Sequence, residues 1–204
     1  MIRSGIYIVL GYLCGSVLFA RVFAGLLHRG DITACSVDGN PGTANAFLYG
    51  GFWCGFLTLC GDLLKGILPV QMYLRGADLD ACGIEMIFII IAPVIGHIFP
   101  IFYKFRGGKG IAVTFGCLLG LFPNLYPVLI LAFVFLLFSL IIRITPHYNR
   151  TLWTYRCAAV GMILFTRDIY IITAFLVITL VVNVNLLSSS EEREKCQVRI
   201  LWKY

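Results

Sequence analysis

Charge is what this chain has least of. Only 13% of its 204 residues are Asp, Glu, Lys or Arg, about half the share in soluble domains. With 60% hydrophobic residues and a mean hydropathy of +0.92, that scarcity excludes water as the solvent for most of the surface. There is no C-x-x-C pair. The eight cysteines (Cys14, Cys35, Cys54, Cys60, Cys82, Cys117, Cys157, Cys196) fall mostly in apolar segments and read as small packing residues rather than metal or redox groups. Carboxylate-histidine metal spacing, a G-x-S-x-G elbow and a nucleophile pair are all missing, so nothing calls for a metal, a cofactor or a covalent enzyme intermediate. No nucleic-acid-binding pattern accompanies the net charge of +6, and no internal repeat, heptad series or low-complexity run is evident.

What is present is a series of apolar runs. At roughly 20 residues per bilayer crossing, the chain holds about seven spans and almost nothing of a soluble domain. Gly/Pro and polar punctuation places helices near 5–27, 47–74, 84–102, 110–122, 125–143, 151–166 and 168–187. The first is too long for a signal-peptide core and lacks a cleavage site, so it counts as a span. The fourth is short and rich in glycine, which fits a tilted or partly re-entrant segment. Pairs of glycines four apart, Gly11 with Gly15 and Gly116 with Gly120, allow helices to approach closely. The expected fold is an all-α integral membrane bundle, with 1–187 as one domain and 188–204 as a charged tail whose stretch 191–195 is solvated.

Cations set the orientation. Segments 28–46, 103–110, 143–150 and 188–204 hold Arg29, Lys104, Arg106, Lys109, Arg143, Arg150, Arg193, Lys195, Arg199 and Lys203. The opposite side holds Arg3, Arg75 and Arg167 beside Asp78, Asp80 and Glu85. The positive-inside rule then puts the N-terminus outside and the C-terminus in the cytoplasm, a parity that seven spans satisfy.

Two cytoplasmic loops carry glycine-interleaved polar residues next to helix ends. Residues 38–45 read Asp-Gly-Asn-Pro-Gly-Thr-Ala-Asn, where Gly39 and Gly42 permit unusual backbone shapes and N–H groups at a helix start attract anions. An ordinary Asx-rich turn with an N-cap has the same composition. In residues 96–110 a helix end, an aromatic cluster and a Gly-Gly-Lys-Gly turn meet. Gly107, Gly108 and Gly110 would bring backbone close to an anion and Lys109 would supply a full charge. The spacing is not that of a Walker loop. Lys104, Arg106 and Lys109 also suit a topogenic cluster facing anionic lipid heads. Within the spans, Asp62 and Lys65 lie three apart on one helix face, as an ion pair or as functional groups. His97 suits a hydrogen-bonded packing role as well as a proton carrier.

Together these loops resemble the bacterial acyl-phosphate-dependent glycerol-3-phosphate acyltransferases of the PlsY type. Residues 96–112 fit the pattern G-H-x-F-P-x-F-x-x-F-x-G-G-K-G-x-A throughout; residues 62–66 and Gly15-Ser16 resemble family helix segments. The resemblance implies seven helices and transfer of a fatty acyl group from acyl phosphate to the 1-hydroxyl of glycerol 3-phosphate, giving lysophosphatidic acid for phospholipid synthesis at the bacterial plasma membrane. It implies catalytic roles for Lys109, Asn40 and Asn45. Substrate contacts are implied for Asp38, Gly39, Gly42, His97, Gly107, Gly108 and Gly110, with the acyl chain between helices among membrane lipids.

Three departures bear on the acceptor. Asp38 stands where the family pattern G-S-G-N-x-G-A-T-N has serine, and Leu48 where it has an arginine, changes that weaken phosphate binding. A His/Asn segment after the last helix is not recognisable in 187–204, although Asn183, Asn185, His147, Asn149 and Arg150 offer similar groups elsewhere. The competing readings are an acyltransferase with a different, non-phosphorylated acceptor, a non-catalytic lipid-binding paralogue, and a small-solute transporter, for which no inverted repeat is visible.

Overall fold

Helices account for most of the chain in a computed structural model that describes residues 2–36, 38–76, 83–189 and 196–200. Two units divide it, Met1–Pro123 and Asn124–Tyr204.

In the first unit, α1 (Ile2–Gly15) and α2 (Phe19–Leu26) are the halves of one expected span, bent by 45° across the break that contains Ser16. The short α3 (Ile32–Cys35) is capped by Asp31, whose side chain accepts from the Thr33 N–H at 2.9 Å. The next expected span also proves to be two helices. α4 (Thr43–Gly50) begins four residues earlier than anticipated and stops at Gly51, whose φ of 84° is open to glycine and strained for other residues; α5 (Phe52–Arg75) follows. α6 (Glu85–Ile98), a 3-10 turn (Ile101–Tyr103) and α7 (Ile111–Leu119) complete the unit. At 1.5 Å per residue α7 is only about 14 Å long, which makes it the short fourth segment that the sequence anticipates.

Two close helix crossings depend on absent side chains. Where α1 meets α6, a Cβ on Gly15 would collide with the Pro93 carbonyl and one on Gly96 with the Tyr12 carbonyl. Where α5 meets α7, Gly116 abuts the Leu63 carbonyl, and a Cβ on Gly66 would come within 2.6 Å of the Val113 oxygen. Each helix of each pair supplies a glycine at the point of closest approach, which is the physical sense of the small-residue spacing.

α5 is apolar outside and polar inside. It buries Thr58, Asp62 and Lys65 and exposes Leu64, Leu68 and Met72. In water that arrangement is upside down; in lipid it is the stable one. α5, α6 with its 3-10 extension, and α10 (Ile169–Ser188) are long and apolar enough to cross a bilayer, as is α1 joined to α2.

The second unit corrects the all-α expectation. α8 (Tyr126–Leu136) passes through a π turn (Leu137–Ile141) into β1 (Ile142–Thr145), which pairs antiparallel with β2 (Gln197–Ile200), Ile142 opposite Ile200. The Ile-Arg-Ile-Thr run alternates apolar with polar residues and is rich in β-branched side chains, and Pro146 ends it before α9 (His147–Phe165). Apolarity alone carries the fifth helix to 143, two residues into this strand, and α9 begins four residues before its expected start. α10 is capped by Asp168, which accepts from the N–H groups of Tyr170 and Ile171 at 2.8 and 3.2 Å. Residues 191–195, Asp78 and Asp80 lie outside the described residues.

Gly116→Ala is expected to lower the thermal midpoint, at a cost of about 1–3 kcal/mol for overpacking. Gly5→Ala, where a Cβ would meet nothing within 4 Å, should leave it unchanged or raise it slightly. Thermal unfolding of the two purified variants checks the pair.

Candidate functional site

The loop that opens α4 is folded around one carboxylate. Gly39 sits at φ 60°, which turns the chain back so that Asp38 Oδ1 accepts from the Asn40 N–H at 3.2 Å and from Asn45 Nδ2 at 2.7 Å. Asn45 Nδ2 also reaches the Asn40 carbonyl at 2.8 Å, so the two asparagines and the aspartate brace each other. A Cβ on Gly42 would come within 3.1 Å of the Asn40 side chain. The expected Asx turn is therefore real, and it also reaches beyond its own loop, because the other oxygen of Asp38 points at the second loop.

That contact is the ion pair of Lys109 Nζ with Asp38 Oδ2, at 2.9 Å and mostly shielded from solvent. Lys109 is delivered by a tight reversal after α6. The Gly107 and Gly108 N–H groups donate to the Ile98 and His97 carbonyls at 3.1 and 3.0 Å, and Gly110, at φ 79°, starts α7. Side chains at 107 or 108 would strike the His97 backbone and ring. Lys104, Phe105 and Arg106 on the same reversal are exposed, as are Ile101 and Phe102 before it.

Electrostatically, burial raises the Asp38 pKa, but the Lys109 hydrogen bond and charge, the Asn45 amide and the Asn40 N–H outweigh it. The carboxyl is held below its ordinary 3.8. Asn40 Oδ1 is buried beside it with no hydrogen-bond partner among the described residues.

Of the sequence-based site residues, Asp38, Asn40, Asn45 and Lys109 thus form one hydrogen-bonded group, with Gly39, Gly42, Gly107, Gly108 and Gly110 shaping its backbone. His97 lies under the turn, 3% exposed, its Nδ1 2.8 Å from Lys65 Nζ. Leu48 is 75% exposed and adds no cation. His147, Asn149 and Arg150 belong to α9 in the second unit, where His147 Nδ1 lies 3.2 Å from the Thr151 hydroxyl; Asn183 and Asn185 lie on α10. Sequence reasoning missed Thr43, whose hydroxyl lies 3.4 Å from Asp62 Oδ2, and the partnership of Lys65 with His97. The first has no sequence signal beyond its place at a helix start. The second joins residues 32 positions apart.

Because the folded-state pKa of Asp38 is depressed, its stabilisation is fully present above 3.8 and lost as pH falls through the folded value. The gap in thermal midpoint between the native protein and Asp38→Asn should be constant near neutrality and close below pH 3.8; thermal unfolding across pH reads it.

A sequence model of the glycerol-3-phosphate acyltransferase family matches residues 5–191. A glycerol-3-phosphate acyltransferase of Azotobacter vinelandii is 43% identical over 116 residues, 56% of this chain and 59% of the relative. One of Pseudomonas putida is 40% identical over 125 residues, 61% of this chain and 62% of the relative. The chain thus spans 59% to 62% of the length of these curated relatives. In structure it is similar to PlsY, an integral membrane glycerol 3-phosphate acyltransferase. The glycerol 3-phosphate form superposes with a TM-score of 0.75 at 25% identity, covering 94% of this chain and 96% of that one. The lysophosphatidic acid form gives 0.73 at 24% identity, covering 94% and 95%. A match over residues 5–191, with a helical fold shared almost end to end, places the chain in the glycerol-3-phosphate acyltransferase family.

Proposed function

We propose that the protein is a membrane acyltransferase that moves a fatty acyl group from acyl phosphate to the 1-hydroxyl of glycerol 3-phosphate, forming lysophosphatidic acid. The observation that carries this reading is the meeting of two glycine-shaped loops at Lys109, with the unpartnered Asn40 Oδ1 beside it. Lys109 and the backbone of 107–110 suit a phosphate, and Asn40 Oδ1 can accept from an acceptor hydroxyl. Phosphate is a competent leaving group, so alignment and charge stabilisation are the main requirements. The hydroxyl oxygen bonds to the acyl carbon, the bond from that carbon to the phosphate oxygen breaks, and the released phosphate takes up the proton. No protein nucleophile, metal or cofactor enters the scheme.

In this reading the bundle crosses a bacterial plasma membrane seven times with its N-terminus outside. The spans are α1 with α2, α4 with α5, α6, α7, α8, α9 and α10. The site faces the cytoplasm, and the charged segment 188–204 lies on the same side. The cation distribution and the bacterial relatives support that arrangement. The acyl chain lies against the apolar helix faces, among lipid.

Asp38 decides between acceptors. A carboxylate free to receive hydroxyls would favour a non-phosphorylated acceptor. Here one oxygen takes two internal hydrogen bonds and the other takes Lys109, so little of its capacity is left. Asp38 acts instead as an internal anion sharing the cation that phosphate needs. Purified protein should convert palmitoyl phosphate and glycerol 3-phosphate to lysophosphatidic acid, and Lys109→Ala should abolish it; a folded native protein that forms no product overturns the reading. Asp38→Ser should lower KM for glycerol 3-phosphate roughly tenfold, the value of one charge-assisted hydrogen bond, with kcat little changed. Steady-state kinetics with varied acceptor measures this.

A further inference from the structure

Beneath both loops lies a charged cluster that takes no direct part in the chemistry above. Asp62 and Lys65, one helical turn apart on α5, pair at 2.8 Å with side chains 2% and 3% exposed. Lys65 Nζ also donates to the Val17 carbonyl at 2.7 Å, lies 2.8 Å from His97 Nδ1 and stands 5.6 Å from the centre of the Phe19 ring. A buried ion pair is a poor source of stability, since apolar residues of the same size often serve as well. Its geometry here supplies something apolar residues cannot.

An ammonium group only donates, so His97 Nδ1 must accept and the ring proton sits on Nε2. Nε2 abuts Gly108, where even a methyl group would collide with it. The same histidine's carbonyl accepts the Gly108 N–H. Lys65 thus locks the rotamer and tautomer of the residue on which the lysine-bearing turn rests. On the far side, Asp62 Oδ2 receives the hydroxyl of Thr43, the first residue of α4, two before Asn45. One buried pair therefore touches the supports of both loops.

We propose that Lys65, with Asp62, is a positioning residue for acyl transfer: through His97 it fixes the 107–110 turn, and through Thr43 the start of α4, so that Lys109 and the asparagine loop keep their spacing. The kinetic part rests on the function proposed above; the structural part does not.

The test compares two double variants of the full chain in lipid nanodiscs. Asp62→Leu/Lys65→Met removes the donor to His97, and Asp62→Asn/Lys65→Gln keeps an amide that can donate to it. Three readouts are taken: KM for each substrate, kcat, and hydrogen–deuterium exchange of the Gly107 and Gly108 amides. In the apolar double, KM for glycerol 3-phosphate should rise at least about tenfold with KM for palmitoyl phosphate little changed, and exchange at 107–108 should accelerate by a similar factor. The Asn/Gln double should recover most of both. If the apolar double does not fold, Asp62→Asn/Lys65→Met against Asp62→Asn/Lys65→Gln gives the same contrast. Unchanged exchange and KM in a folded variant lacking the donor overturns the proposal, as does equal loss in the donor-keeping and donor-lacking doubles. Should the native protein fail to acylate glycerol 3-phosphate, the proposed function falls, while the exchange comparison still decides the positioning role.

Discussion

A lysine ammonium held inside apolar protein is the constraint on which the first unit turns. Lys65 sits among Asp62, the Val17 carbonyl and the His97 ring, so the break between α1 and α2, the middle of α5 and the end of α6 converge on one charge. Each partner answers a requirement of that charge. A bent first helix frees a carbonyl, a carboxylate one turn away balances the ammonium, and an imidazole accepts the remaining proton. The cost of burying charge in such surroundings makes the arrangement all or nothing.

Around that point the helices must come closer than ordinary side chains allow. Gly15 and Gly96 bring α1 to α6, and Gly66 and Gly116 bring α5 to α7. Lipid supplies no hydrophobic force between helices, so dense contact and interior polar bonds hold the bundle together. Both resources are concentrated just beneath the loops, which explains how reversals as tight as residues 97–110 present a lysine in a fixed place.

Much of this was legible in the sequence, and the parts that were not share a cause. Apolar runs located every long helix, and the glycine-lysine turn and the asparagine loop were visible as anion-binding compositions. The three-residue spacing of Asp62 and Lys65 announced a shared helix face. Hydropathy did not register the breaks at 16–18 and at Gly51, because a bent and a straight span contain the same apolar residues. It also carried the fifth helix two residues into β1, since Ile and Leu do not distinguish strand from helix until β-branching and Pro146 are weighed. Asp38 read as an intruder in a phosphate loop. Its partner, 71 positions away, makes it the hub of that loop instead. Long-range pairing of this kind leaves no trace in local pattern.

The strand pair of the second unit bears on the order of assembly. Joining 142–145 to 197–200 closes a circuit that contains both α9 and α10, a closure whose entropy cost must be met before the ladder repays it. Until then β1 is an edge with unpaired N–H and C=O groups, able to template on another chain. The contact that closes this long circuit is thus also the one that covers an open strand edge.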